Sequence, residues 1–267
     1  MKLKKLLTVV MAVVLVLTAF AACSKGGKEN VTKTVSDADY VTEKGTLVVG
    51  ITDYAPMDYK EKGSDEWTGF DAELARAVAD KMGVKVEFVV IEWDNKFLEL
   101  NTKSIDCVWN GMTITDEVKK NTSVSNAYAR NRQVVVMKND KAKNIKSVED
   151  LSGLKFAVEN GSSGQAAAED NKLEATAVST QADTLLEVKS GSVDAAIIDS
   201  TMADAMTGEG TDYADLGVAI VLQEEQYGIG FRKGSDLTEK VNGYLDELKA
   251  DGTLQSLSEK YTVEIME

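Results

Sequence analysis

The chain has 267 residues, 43% hydrophobic and 28% charged, with 44 acidic residues against 30 basic ones, a formal net charge of −14 and no histidine. That length supports one large domain or two small ones with a working core, and the acid excess, with no basic run after residue 22, argues against nucleic acid as a partner. Lack of histidine removes the commonest general base, the usual catalytic triads and most zinc sites.

Lys2, Lys4 and Lys5 precede an apolar run from Leu6 to Ala22 that only Thr8 and Thr18 interrupt. This predicts a secretory signal over residues 1–22; a membrane-spanning helix is the competing reading, for which the run is marginally short. The signal ends in Phe20-Ala21-Ala22-Cys23, which predicts cleavage with lipid attached to Cys23. Phe20 stands where a leucine-like residue is usual, so plain cleavage after Ala21 is the alternative. Cys23 and the polar, aperiodic residues 24–40 form the expected tether. With Cys23 lipidated, Cys107 has no partner and its apolar surroundings predict a buried free thiol. No CxxC, GxxxxGK[ST], GxGxxG or calcium-loop spacing occurs, so no metal, cofactor or catalytic residue is expected.

A β/α rhythm begins at residue 45. "GTLVVGI" (45–51) reads as a buried strand. "GFDAELARAVADKMG" (69–83) reads as a helix burying Phe70, Leu74, Val78 or Ala77, and Met82, with Gly83 as its stop. "KVEFVVI" (85–91) is a strand, "DNKFLELNTKS" (94–104) a helix with Phe97 and Leu100 toward the core, and "IDCVWN" (105–110) a strand. The rhythm resumes with strands at 154–160, 174–179 and 193–199 and helices from about Gly164 and over 181–191. A last run at 227–234 precedes a helix at 235–252, with Ser235 as N-cap and Gly252 as stop.

Alternating strands and helices predict parallel sheets covered by helices. "LNTKSIDCVWNG" (100–111) and "VKSGSVDAAIID" (188–199) share one pattern of helix end, serine, branched apolar residue, aspartate and strand. The chain is therefore expected to form two similar α/β lobes. In such sheets ligands gather beyond the carboxyl ends of strands, here near Asp53-Tyr54, Trp93, Asn110–Thr115, Asn160–Gly164 and Asp199.

The stretches "LVVGITDYAPMDY", "SIDCVWNGMTITDE", "VEDLSGLKFAVENGSSG", "SVDAAIID" and "YGIGFRKGSDLTEKVNGYLDELKADG" together resemble the extracellular solute-binding proteins of polar amino-acid ABC transporters. The resemblance runs from about residue 44 to the end. It implies a type II periplasmic-binding-protein-like fold of class α/β, each lobe a mixed, mostly parallel sheet flanked by helices. Lobe one would hold 41–134 with 227–267 and lobe two 135–226, joined by hinge crossovers near "QVVVMK" and "EEQYGIG".

It also implies a protein that captures a free polar amino acid, delivers it to an ABC permease, and sits lipid-anchored on the extracellular face of the cell membrane, or else is secreted or periplasmic; with no coiled-coil heptads or exposed repeats in the sequence, a monomer is expected. A ligand-sensing surface lipoprotein and a dehydratase-like enzyme on the same fold are the alternatives. By the resemblance, Asp199 meets the ligand's ammonium. The α-carboxylate lies between Asn110, Gly111, Met112 and Thr113 on one side and Ser162, Ser163 and Gly164 on the other. Tyr54 and Trp93 flank the ligand's side chain. Asp53 is a candidate for reading a basic side chain, with Glu92 another and Trp67 a weaker contact. Most relatives place a carboxylate-clamping arginine where this chain has Val118. Arg130, or the helix N-terminus at Ser162–Gly164, is the expected substitute. The residues leave open which polar amino acid binds.

Overall fold

The computed structural model describes residues 36–267; the expected signal, Cys23 and the tether up to residue 35 lie outside the described residues. Where the tether was expected to continue, residues 37–40 instead open helix α1 (Asp37–Lys44). The Ser36 hydroxyl caps it by accepting the Asp39 amide, and Gly45 closes it at φ 72°. Acids in its first turn and Lys44 in its last suit the helix dipole.

The chain continues through β1 (Thr46–Ile51), the hairpin β2 (Tyr59–Lys60) and β3 (Trp67–Thr68), α2 (Phe70–Met82), β4 (Lys85–Val90), α3 (Lys96–Thr102), β5 (Cys107–Val108), α4 (Asp116–Asn121) and β6 (Thr122–Val124). Then come β7 (Ala129–Lys138), α5 (Asn139–Ala142), β8 (Lys155–Glu159), α6 (Ser163–Asp170), β9 (Glu174–Val178), α7 (Gln181–Ser190), β10 (Ala195–Asp199), α8 (Ser200–Met206) and β11 (Leu216–Tyr227). The last elements are β12 (Gly230–Arg232), α9 (Leu237–Ala250) and α10 (Thr253–Tyr261). Among the described residues no helix is long and apolar enough to cross a membrane.

Two mixed sheets result, ordered β4-β1-β5-β12-β6 and β11-β7-β10-β8-β9. In the first, β1 runs parallel to β4 and β5, while β12 is antiparallel to β5 and β6. In the second, β8 is parallel to β9 and β10, while β7 is antiparallel to β10 and β11. The chain enters the second sheet between β6 and β7 and returns between β11 and β12. The β7–β11 ladder runs from Ala129 opposite Tyr227 to Lys138 opposite Leu216, so pairing within the second sheet begins at Ala129.

The similarity of residues 100–111 to 188–199 has a physical basis. Asp106 Oδ2 accepts the Val48 amide at 2.8 Å and Lys44 Nζ at 2.6 Å. Asp194 Oδ2 accepts the Lys155 amide at 3.1 Å, and its Oδ1 accepts Lys141 Nζ at 3.0 Å. In both lobes one aspartate thus ties the start of its strand to a backbone amide of the neighbouring parallel strand and to a lysine. Asp106 is fully buried and also meets Arg232, whose guanidinium reaches Asp37 at 2.9 Å and the Ile105 carbonyl at 2.7 Å. Cys107, beside it, is a free buried thiol.

Helix α2 buries Phe70, Leu74 and Val78 and ends at Gly83 in the left-handed conformation, as its spacing predicts. Helix α9 buries the expected Leu237, Val241, Leu245 and Leu248, but its N-cap position is Asp236, not Ser235, and Gly252 lies one residue beyond its C-cap Asp251. Each such buried aliphatic side chain stabilises the fold by about 1.5–3 kcal/mol relative to exposure.

Candidate functional site

The first wall is the loop that follows β5. Asn110 uses its whole amide on the protein: Oδ1 accepts the Thr52 amide and hydroxyl at 3.0 and 2.7 Å, and Nδ2 donates to the Thr52 carbonyl and Asp58 at 3.1 and 2.7 Å. This locks the ends of β1 and β5 together. The next residue, Gly111, adopts φ +55° and donates its amide to Asp71 Oδ2 at 2.6 Å. A Cβ there would sit 2.6 Å from the Tyr54 ring, so only glycine lets the loop pass beneath that ring. Burial raises the Asp71 carboxyl to about 7.

The second wall comes from the other sheet. Its strands β8 and β10 end in Glu159 and Asp199, each 3% exposed. Ser162 caps α6 by accepting the Gln165 amide at 3.1 Å. Asp199 Oδ1 accepts Gln133 Nε2 at 2.6 Å and Asn131 Nδ2, and Oδ2 accepts Gln181 Nε2. Although Asp199 occupies the N-cap position of α8, its side chain makes no capping bond; it faces inward. A buried carboxylate surrounded by neutral amides lacks a countercharge. Burial, then repulsion from Glu225, raises its carboxyl to about 7. Glu159 is raised to about 8 by burial and then by Asp199, and its Oε1 has no hydrogen-bond partner among the described residues.

Between the walls lies a cavity of about 270 Å³. Of the expected site residues, Tyr54, Trp93, Asn110, Gly111, Met112, Thr113, Ser162, Ser163 and Asp199 line it. Gly164 sits just behind, where a Cβ would meet the Ile197 carbonyl oxygen at 2.7 Å. Val118 lines the cavity and is 4% exposed.

Four expectations are corrected. Arg130 is outside the cavity, in a separate polar cleft beside Glu264, 3.5 Å away. The reason is strand alternation: Asn131 and Gln133 of β7 turn inward to Asp199, which sends Arg130 and Arg132 outward. Asp53 is likewise exposed between the inward-facing Thr52 and Tyr54. Glu92 and Trp67 line two other clefts.

Six polar residues escaped the sequence reading. Lys96, Asp116, Glu117, Glu159 and Gln181 line the cavity. Glu225 lies behind it and accepts the Thr113 hydroxyl at 2.9 Å and the Ser163 hydroxyl. Two of the three hydroxyls expected to meet a ligand therefore meet this protein carboxylate. The only available signal was Lys96 falling four residues before the core residue Leu100, hence on the same helical face.

The model of the bacterial extracellular solute-binding proteins, family 3, matches residues 47–264. The arginine-binding extracellular protein ArtP of Bacillus subtilis (strain 168) is 33% identical over 224 residues, 82% of this chain and 86% of that protein. The L-cystine-binding protein TcyA of the same organism is 32% identical over 92% of each chain. Among solved structures, an ancestral arginine-binding protein bound to arginine aligns with TM-score 0.75 and 37% identity, covering 81% of this chain and 98% of that one. A substrate-binding protein of a Streptococcus pneumoniae ABC uptake transporter, with bound histidine, aligns with TM-score 0.77 and 32% identity over 85% and 96%.

Proposed function

The chain belongs to the bacterial extracellular solute-binding proteins of family 3, and from that premise we propose that it captures a free polar amino acid in the cavity between its sheets for delivery to an ABC permease. One observation carries this reading: Asp199 is buried in the cavity wall, held by three neutral amides and no cation. A ligand ammonium supplies the missing charge through a charge-assisted hydrogen bond. Glu159, with an unpartnered oxygen in the same cavity, favours a second positive or donor group on the ligand, as an arginine-like side chain would offer. Trp93 gives that side chain an apolar surface.

The two sheets with their helices are the lobes of a clamp. We place the crossovers at about residues 125–128 and 228–229, earlier than 134/135 on the first pass, because Ala129 already pairs with Tyr227. Ligand captured between the lobes favours the closed form. Lipid attachment at Cys23, anchoring on the outer face of the membrane, a monomeric state and binding without turnover belong to the same proposal.

A thermal-shift screen of the twenty amino acids, ornithine and cystine tests it, since a ligand that binds only the folded form raises the melting temperature. A shift with one polar amino acid, abolished by Asp199→Asn, is expected. No shift with any of them contradicts the reading.

A further inference from the structure

Lys96 is the only lysine or arginine among the described residues lining the cavity, and it is 5% exposed. Lysine is almost never buried so deeply without a paired charge. Here its ammonium donates to two carbonyl oxygens, Trp93 O at 3.1 Å and Gly161 O at 3.0 Å. Neither is a carboxylate, and among the described residues Lys96 forms no ion pair. An ammonium carries three protons, and the third has no acceptor there. The Trp93 and Phe97 rings lie 4.9 Å from the nitrogen, which softens its burial without neutralising it. Burial lowers the pKa of the amine, against the opposing pull of the Glu117, Glu159 and Asp94 carboxylates, none of which pairs with it directly.

Some donors of the lining are already engaged, while the hydroxyls of Ser162 and Thr115 accept amides and keep their own protons among the described residues. Thr113 and Ser163 give their hydroxyls to Glu225. Asn110 has no free amide proton. Val118, on the same lining, offers none. We infer that Lys96, the one cation among the described residues of a lining that also holds Asp116, Glu117, Glu159 and Asp199, is the residue that holds the carboxylate of the bound amino acid. Its two carbonyl partners come from the loop after β4 and the loop after β8, so the same ammonium spans the first wall and the second. The ligand carboxylate would meet a donor that already bridges both lobes.

This rests on the amino-acid-binding reading, and the test separates the two. Calorimetric titrations compare L-arginine with L-argininamide, L-glutamine with L-glutaminamide and L-histidine with L-histidinamide, each amide lacking the carboxylate charge. The variants are Lys96→Met, Lys96→Gln and Lys96→Met combined with Val118→Arg, each checked for folding by its ligand-free melting curve.

Wild type is expected to prefer the acid of the pair it binds. Lys96→Met should weaken the acid by about 30-fold or more while changing the amide little, which a packing role would not do. Lys96→Gln, which still donates to a carbonyl, should lose the preference equally. The double variant, which returns a cation to the same lining, should recover part of it. Retention of the preference by both Lys96 variants overturns the inference. Failure of wild type to bind any amino acid of the thermal-shift screen overturns the amino-acid reading itself and this inference with it.

Discussion

The phenol oxygens of Tyr54 and Tyr227 lie 2.6 Å apart, and both meet the hydroxyl of Thr201, 3.0 Å from Tyr227. Tyr54 belongs to the loop after β1, Thr201 to α8 of the second lobe, and Tyr227 to the last residue of β11 before the chain returns. Three hydroxyls thus join both lobes where they hinge.

Thr201 does not line the cavity, so it acts on binding through closure or through its bond to Tyr54, and scattering separates the two. Thr201→Val keeps the shape and removes the hydroxyl. A net hydrogen bond contributes about 0.5–1.5 kcal/mol, so ligand affinity should fall by roughly two- to tenfold. Small-angle scattering of the ligand-free protein should show a shift toward the open form. Unchanged affinity and scattering would mean that the cluster is neutral toward closure.

Asp71 receives the Gly111 amide and the Tyr128 hydroxyl, at 2.6 and 2.8 Å, on the same oxygen. Asp71→Asn can present its carbonyl oxygen to both donors. Asp71→Leu orphans both inside the core, each at about 1–3 kcal/mol. Urea unfolding should place the asparagine variant near wild type and the leucine variant about 2 kcal/mol or more below it. Equal stability of the two would contradict the role assigned to this carboxylate.

Gly111→Ala puts a methyl 2.6 Å from the Tyr54 ring at a backbone φ of +55°. Destabilisation of about 1–3 kcal/mol is expected from the backbone conformation alone. Displacement of Tyr54 should add a loss of affinity measurable by calorimetry. Wild-type stability and binding in this variant would show that the loop has room to move.

Much of this site was legible in sequence because strand ends and turn residues announce themselves. Asp199 stood at the end of an apolar run, and "NGMTIT" placed a glycine and small polar residues where a strand stops. Lys96 and Glu159 were not legible: both are residue types expected at the surface, and their burial depends on the second lobe covering the first. Arg130 misled because its position within β7 decides its direction, and the register that turns Asn131 and Gln133 inward is set by β10 and β11. Residues 37–40 looked like tether because a polar segment does not reveal the remote Arg232 that pairs with Asp37.

Asp199 and Glu159, at about 7 and 8, and Asp71, also at about 7, are raised from ordinary values of 3.8 to 4.5. Between those limits the folded chain keeps protons that the unfolded chain has lost. Raising the pH therefore removes stability. The melting temperature of ligand-free protein should fall from about pH 5 to pH 8, and less steeply in Asp199→Asn. An ammonium ligand favours the ionised Asp199, so the ligand-induced shift should grow over pH 6 to 8 with release of protons to the buffer. A melting temperature that rises across this range would contradict the burial of these acids.

The most direct test is a pair of calorimetric titrations of wild type and Asp199→Asn with whichever amino acid gives the largest thermal shift. Removing one partner from a buried charge pair typically costs about 2–5 kcal/mol, so affinity should drop by about 30-fold to several thousandfold while the fold, judged by circular dichroism, is kept. Binding within about twofold of wild type would contradict a ligand ammonium seated on Asp199, and with it the account of this cavity.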